Sequence, residues 1–196
     1  AKRDFNVTGE PFSTWAGPVA IAAGAEWREE DYRTITDPYG DGLTATAQYN
    51  ADYPADPLVR TTGNNWYAGN YHSGHGYYHV VEGYLEANVP VLKSDTLGEA
   101  NINGAVRQTK YSTSGDVTAW KLGGSWKTPI EGLRFRAVTS RDIRAPNLSE
   151  LFAPPVVTNA TVLYKGAATN VLLQTVGNTN LRPEKARNTE VGNGSP

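Results

Sequence analysis

Apolar and polar residues alternate with period two along much of the chain, the spacing of strands whose two faces meet different surroundings. The clearest case is residues 117–127. There Trp120, Leu122, Gly124 and Trp126 share one face, and Lys121, Gly123, Ser125 and Lys127 share the other. Leu133, Phe135 and Ala137 alternate with Arg134, Arg136 and Val138. Val81, Leu85, Ala87 and Val89 oppose Glu82, Tyr84, Glu86 and Asn88, and Ala100, Ile102, Gly104 and Val106 oppose Asn101, Asn103, Ala105 and Arg107. A strand from Val19 to about Tyr32 and a weaker one from about Arg3 to Trp15, with a break at Pro11, complete the pattern. Several of these runs reach about nine to eleven residues, longer than the five or six usual in soluble sheets.

The connections fall into two classes. Ala16-Gly17-Pro18, the stretch from Pro90 to Gly98, and that from Pro129 to Gly132 are short and carry the proline or glycine that turns require. Between them lie a long segment at about 33–76, the brief Ser112–Asp116, and a second long segment at about 142–187. In an up-and-down meander alternate connections share a side, so both long segments fall on one side and all three proline-bearing turns on the other. Short inner turns facing long outer loops is the asymmetry of bacterial outer-membrane barrels. The fold class is therefore read as all-β, an antiparallel up-and-down meander forming part of a transmembrane β-barrel, with residues 1–196 as one partial barrel domain. Trp15, Trp27, Tyr32, Tyr77, Tyr78 and Tyr111 mark strand ends, where rings suit an interfacial girdle.

Composition narrows the function classes. With 18 basic against 20 acidic residues, there is no general basic character to suggest nucleic acid. Cysteine is absent, which excludes disulfides and thiolate chemistry. No run approaches the roughly 18 apolar residues of a transmembrane helix, a fact without bearing on barrel strands, whose hydropathy averages out. The chain opens at Ala1 without a charged-then-apolar leader, and the true start is expected upstream.

Two linked blocks carry a family resemblance: Ser140-Arg-Asp-Ile-Arg-Ala-Pro-Asn-Leu-Ser-Glu-Leu-Phe152, and Gly177-Asn-Thr-Asn-Leu-Arg-Pro-Glu184 with its continuation to Gly192. Together they resemble a motif pair of the TonB-dependent outer-membrane receptors. Arg141, Arg144, Pro146, Asn147, Glu150, Leu151 and Phe152 match the first part; Asn178, Leu181, Pro183, Glu184, Asn188, Glu190 and Gly192 match the second. Thr179 stands where the family often has proline. The resemblance implies a receptor of the Gram-negative outer membrane that imports a scarce nutrient: a siderophore, cobalamin or an oligosaccharide. Its partners would be outer-membrane lipid, a small-molecule ligand of unknown identity, and the TonB energy-transducing complex, reached through a plug that this chain does not carry. It implies no enzyme activity, no cofactor and no nucleic-acid partner. Roughly seven strands are too few to close a barrel of that family's size, so the chain is expected to be a segment from the later part of the wall. Lys121, Lys127, Arg134 and Arg136 would line the hydrated interior; Trp120, Leu122, Trp126 and Phe135 would meet lipid.

For the motif residues, the physics favours shaping the rim. Pro146 removes a backbone donor and helps the chain leave the ladder, and Arg141 and Arg144 are placed to pair with Glu150 or Glu184. His72, His75 and His79, with Glu82 nearby, are read either as a solvated loop or as zinc or copper ligands, in a spacing that fits no structural zinc pattern. No metal is assigned. Trp66, Tyr67, Tyr71 and Tyr77 lie among asparagines and glycines, which suits either sugars or planar ligands at an external mouth, or simple packing of the loop. Asp37-Pro-Tyr-Gly-Asp-Gly42 is a turn or an incomplete calcium loop. No nucleophile elbow, phosphate loop or dinucleotide fingerprint occurs. The competing expectation is a soluble or secreted β-sandwich that binds carbohydrate through its aromatic loop. In that fold the apolar faces would be buried against a second sheet.

Overall fold

The computed structural model describes residues 1–36 and 70–194. The aromatic pair Trp66 and Tyr67 and the segment from Asp37 to Gly42 lie outside the described residues. Two compact units are present: Ala1–Glu29, Tyr78–Pro146 and Arg182–Pro196 form the first, and Glu30–Tyr77 and Asn147–Leu181 form the second.

Seven strands form one sheet: β1 (Lys2–Thr14), β2 (Gly17–Thr34), β4 (Gly74–Ser94), β5 (Gly98–Tyr111), β6 (Gly115–Lys127), β7 (Arg134–Arg144) and β10 (Glu184–Gly194). Their spatial order is β1-β2-β4-β5-β6-β7-β10, so each strand pairs with the strand before it in the meander, and β1 and β10 are open edges. The pairs β1–β2, β4–β5, β5–β6, β6–β7 and β7–β10 are antiparallel. The all-β meander read from the alternation is the fold observed.

The register shows why the alternation holds. Leu85, Val106 and Trp120 fall in one cross-strand row; so do Ala100 and Trp126 with Phe135. The next rows along carry Glu86, Ala105, Lys121 and Ser140, or Asn101, Ser125 and Arg136. In these rows one face of the sheet is thus predominantly apolar and the other polar. The apolar face is not packed against a second sheet: Leu122 is 53% exposed, Trp126 42% and Phe135 41%. A sandwich core would bury these side chains, so the sandwich expectation fails here.

Strand lengths of 11 to 21 residues exceed the roughly 9–11 needed to span a bilayer. At about 3.3 Å per residue, the longest, β4, measures roughly 70 Å and reaches beyond any hydrocarbon layer.

Three boundaries differ from expectation, each for a local reason. Pro90 does not open a turn; it stays in β4 opposite Asn101, at a bulge between Pro90 and Leu92 that spares the ladder its missing donor. The turn lies instead at residues 95–97, where Ser94 Oγ accepts the backbone N–H groups of Thr96 and Leu97, both at 3.3 Å. Pro11 likewise produces a bulge between Gly9 and Phe12 on an edge strand, not a break. The start of β4 at Gly74 was masked in the sequence by glycines and histidines that carry no clear alternation.

In the second unit, α1 (Leu148–Phe152) is a short helix, and a smaller sheet runs β3 (Asn70–Tyr71), β8 (Val156–Tyr164), β9 (Ala167–Thr175). The segment read as an outer loop at about 142–187 therefore holds a helical turn and a hairpin. Lys165 and Gly166 make the two-residue hairpin turn, with φ of 49° and 81°, the left-handed pair that matches strand twist.

Candidate functional site

The motif residues divide between the two units. In the first, β7 ends at Arg144, directly opposite Glu184 at the start of β10. The guanidinium and carboxylate meet as a fork, Nε to Oε2 at 3.2 Å and Nη2 to Oε1 at 2.9 Å. This bidentate geometry fixes direction as well as distance and clips the two strands where both leave the ladder. One row below, Asn188 donates its side-chain amide to Asp142, which also accepts from Ser140 Oγ at 3.2 Å. Pro146 is buried just beyond the strand end.

In the second unit, Asn147 caps α1. Its Oδ1 accepts the Glu150 N–H at 2.8 Å, and the Glu150 carboxylate accepts the Asn147 N–H at 2.9 Å. This reciprocal capping box satisfies two otherwise orphaned donors. The Glu150 carboxylate thus closes the cap. Leu151 is the buried anchor of the helix, 1% exposed, and Phe152 lies against Gly76 closely enough to leave no room for a Cβ there.

The second motif block docks on the first through the backbone. Gly177 N donates to Ala153 O at 2.9 Å, and Asn178 N donates to Glu150 O at 2.8 Å. Asn178 Oδ1 then accepts Asn180 N, and Leu181 N closes on Asn178 O, folding Asn178–Leu181 into a turn. Gly177 is where the approach is tightest: a Cβ would stand 2.6 Å from Ala153 N and 2.8 Å from Leu151 O. Gly177→Val is therefore expected to unseat this turn. Limited proteolysis of the full chain in detergent should cut between Phe152 and Leu181 at least tenfold faster in the variant, while the strands stay protected; an unchanged cleavage rate would show that the contact is not needed.

Arg141 takes a different position from Arg144. Its residue number places it on the apolar face, in the row of Trp120 and Arg187. Pro183 follows the docked turn and precedes β10, where a missing N–H costs the ladder nothing.

The histidines separate. His75 Nε2 lies 2.6 Å from Asp31 Oδ2, with the His75 and Tyr77 rings 6.1 Å apart. His79 binds Ser112 through its backbone. Glu82 lies on the opposite face of β4 from His75 and His79, which removes it as their shared carboxylate. No cluster of three metal-ligating side chains occurs among the described residues. Of the aromatic candidates, Tyr71 is on β3 opposite Val156, and Tyr77 is on β4, sharing a strand face with His75. Both are exposed.

A charged array on the polar face was not legible as a unit in the sequence. Lys2 Nζ lies 3.1 Å from Glu26, Glu26 3.1 Å from Arg28, and Arg28 3.7 Å from Glu82. Glu82 in turn lies 3.2 Å from Arg107, which stacks over the Tyr84 ring at 5.4 Å; Tyr84 Oη donates to Asn6 at 2.6 Å. The array joins four adjacent strands. The signal that could have found it is the shared parity of these residues across β1, β2, β4 and β5. Beside it, Thr8, Ala20, Ala22, Asn88, Asn103 and Ala105 leave a hollow of about 660 Å³ on the same face.

A sheet with one face of exposed apolar side chains and one charged face has the two-sidedness of outer-membrane barrel strands. The family model described as TonB dependent receptor-like, beta-barrel matches residues 2–192. Among solved structures, the crystal structure of the siderophore receptor PirA from Acinetobacter baumannii is similar, at 19% identity and a TM-score of 0.61 over 98% of this chain. The match covers 24% of that receptor, so the chain spans about a quarter of its length. With 191 of the 196 residues inside the matched span, the chain belongs to the TonB-dependent receptor-like β-barrel family.

Proposed function

We propose that this chain forms part of the wall and outer rim of a Gram-negative outer-membrane receptor for energy-coupled uptake of a scarce nutrient. The observation that carries the reading is the two-faced sheet: exposed Leu122, Trp126 and Phe135 on one side, and the ion-pair array from Lys2 to Arg107 on the other. An exposed apolar band suits hydrocarbon, and a charged interior suits a hydrated lumen. Lys121, Lys127, Arg134 and Arg136 share that luminal face by register. The hollow on that face leaves space for a plug, through which the TonB complex would act. Family membership favours transport over enzyme chemistry.

The long connections belong to the outer side, where Trp66, Tyr67, Tyr71 and Tyr77 would contribute to capture. The siderophore receptor among similar folds makes a ferric siderophore the first ligand to try, ahead of cobalamin and oligosaccharides. In a strain deleted for the full receptor, uptake of radiolabelled ferric siderophore should fall to background. It should return with the complementing gene and collapse when the proton gradient is dissipated. Normal uptake of all three ligand classes in the deletion strain would refute the reading.

A further inference from the structure

The apolar face of the sheet is interrupted on β7 and β10, two to four residues outward of the Leu122 row, by a cluster of cations. Arg141 on β7 and Arg187 on β10 are direct cross-strand partners, and Lys185, one step along that face of β10, sits opposite Ile143. Like charges directly opposite one another repel and destabilise a ladder unless a counter-charge lies between them. None is supplied by these strands: Asp142, Glu184 and Glu190 all take positions on the polar face. The nearest acid on the apolar face of β6, Asp116, is the cross-strand partner of Lys110. None of Arg141, Lys185 and Arg187 has an ion pair among the described residues.

The surroundings say what kind of anion would fit. Trp120 stands opposite Arg141, and Leu122, Ala137 and Val191 continue the same face toward the inner turns. The long arginine and lysine stems lie along the apolar surface and carry their charges outward, so a ligand here would place negative charge toward the outer end and hydrocarbon beneath it. Two guanidinium groups side by side match phosphate oxygens in a way that single ammonium groups do not. We infer that Arg141, Arg187 and Lys185 bind the phosphate of an anionic lipid of the outer leaflet, with its acyl chains laid over the apolar band below. Neutralising the arginine pair would relieve a repulsion built into the β7–β10 seam, so lipid binding also ties β10 to the wall.

This inference rests on the apolar face meeting lipid, as proposed above. The full chain in phosphatidylcholine nanodiscs should be titrated with diphosphorylated lipid A, and bound lipid counted by native mass spectrometry. Arg141→Gln with Arg187→Gln is expected to weaken binding about 30-fold, from about fivefold for each cation removed near an anionic lipid surface. Arg141→Lys with Arg187→Lys should bind more weakly than wild type but more tightly than the Gln variant, since the charge stays and the paired fork is lost, and enzymatically dephosphorylated lipid A should bind wild type no better than phosphatidylcholine. Equal binding by the Gln variant and wild type, or by dephosphorylated lipid, would overturn the inference; so would inorganic phosphate binding as tightly as the lipid. Quenching of tryptophan fluorescence by brominated acyl chains is the separate readout of the lipid-facing assignment. Quenching without phosphate dependence defeats the cluster alone, and no quenching defeats the wall reading beneath it.

Discussion

Leu122→Arg is expected to destabilise the protein by about 2–4 kcal/mol in a bilayer, the cost of placing a cation on the lipid face near the midplane. Leu122 is five residues from Lys127, where β6 gives way to the inner turn. That is about 17 Å along the strand, and about 12 Å in height at a tilt of about 45°, close to the middle of an apolar band about 25 Å tall. Its side chain is exposed, so an arginine would meet no steric barrier and the penalty would come from desolvation alone. Phe135, one row from the inner end, sits near the interface, and Phe135→Arg should cost about 0–1 kcal/mol. Lys121→Arg, one residue from Leu122 but on the polar face, should be neutral within about 0.5 kcal/mol. Urea unfolding in lipid vesicles measures all three. If Leu122→Arg proved as harmless as Lys121→Arg, both faces would be meeting water, and the assignment of the apolar face to lipid would fall.

The contrast between Leu122 and Lys121 was readable in the sequence because parity is the one property of a strand that needs no tertiary information. A side chain at i and another at i+2 share a face whatever the neighbours do. The same logic sorted the connections into two sides, and of the partners open to Arg144 in the sequence, Glu150 or Glu184, the register brings Glu184 directly opposite. What parity could not supply was register between strands distant in sequence. Arg107 and Glu82 are separated by 25 residues and Tyr84 and Asn6 by 78, and only pairing brings them together. The hairpin β8–β9 was hidden for a different reason. Thr161, Val162 and Leu163 are all exposed whatever their polarity, so no clean alternation marks the hairpin. Gly177 was visible as the start of a motif, but its role comes from a backbone contact with Leu151 and Ala153 that no local pattern encodes. Arg141 is the instructive case: the motif grouped it with Arg144, yet three residues of separation put the two guanidinium groups on opposite faces of β7.

Glu82→Gln should cost about 1–3 kcal/mol, the range for removing a charged hydrogen-bond partner. The carboxylate is the hub of the polar-face array: its side chain is only 9% exposed and lies between Arg107 and Arg28. Thr109 Oγ1 also donates to it, at 3.4 Å. Taking away its charge leaves Arg107 without the carboxylate it pairs with, and the two arginines flanking position 82 then repel through a partly excluded medium. A fully buried pair broken in this way costs about 3–5 kcal/mol. Arg107 and Arg28 retain contact with solvent, which lowers the expected figure, and Arg28 keeps Glu26 at 3.1 Å. Salt separates the electrostatic part from the lost packing: raising ionic strength should shrink the difference between wild type and variant, because screening relieves the arginine repulsion. A double-mutant cycle with Arg107→Gln should return a coupling of about 0.5–3 kcal/mol, as contacting charges do. A coupling near zero with no salt dependence would mean that the array is a set of independent solvated charges. A substantial one would mean that strands β2, β4 and β5 are held together across their polar face, which allows their apolar face to be left bare for lipid.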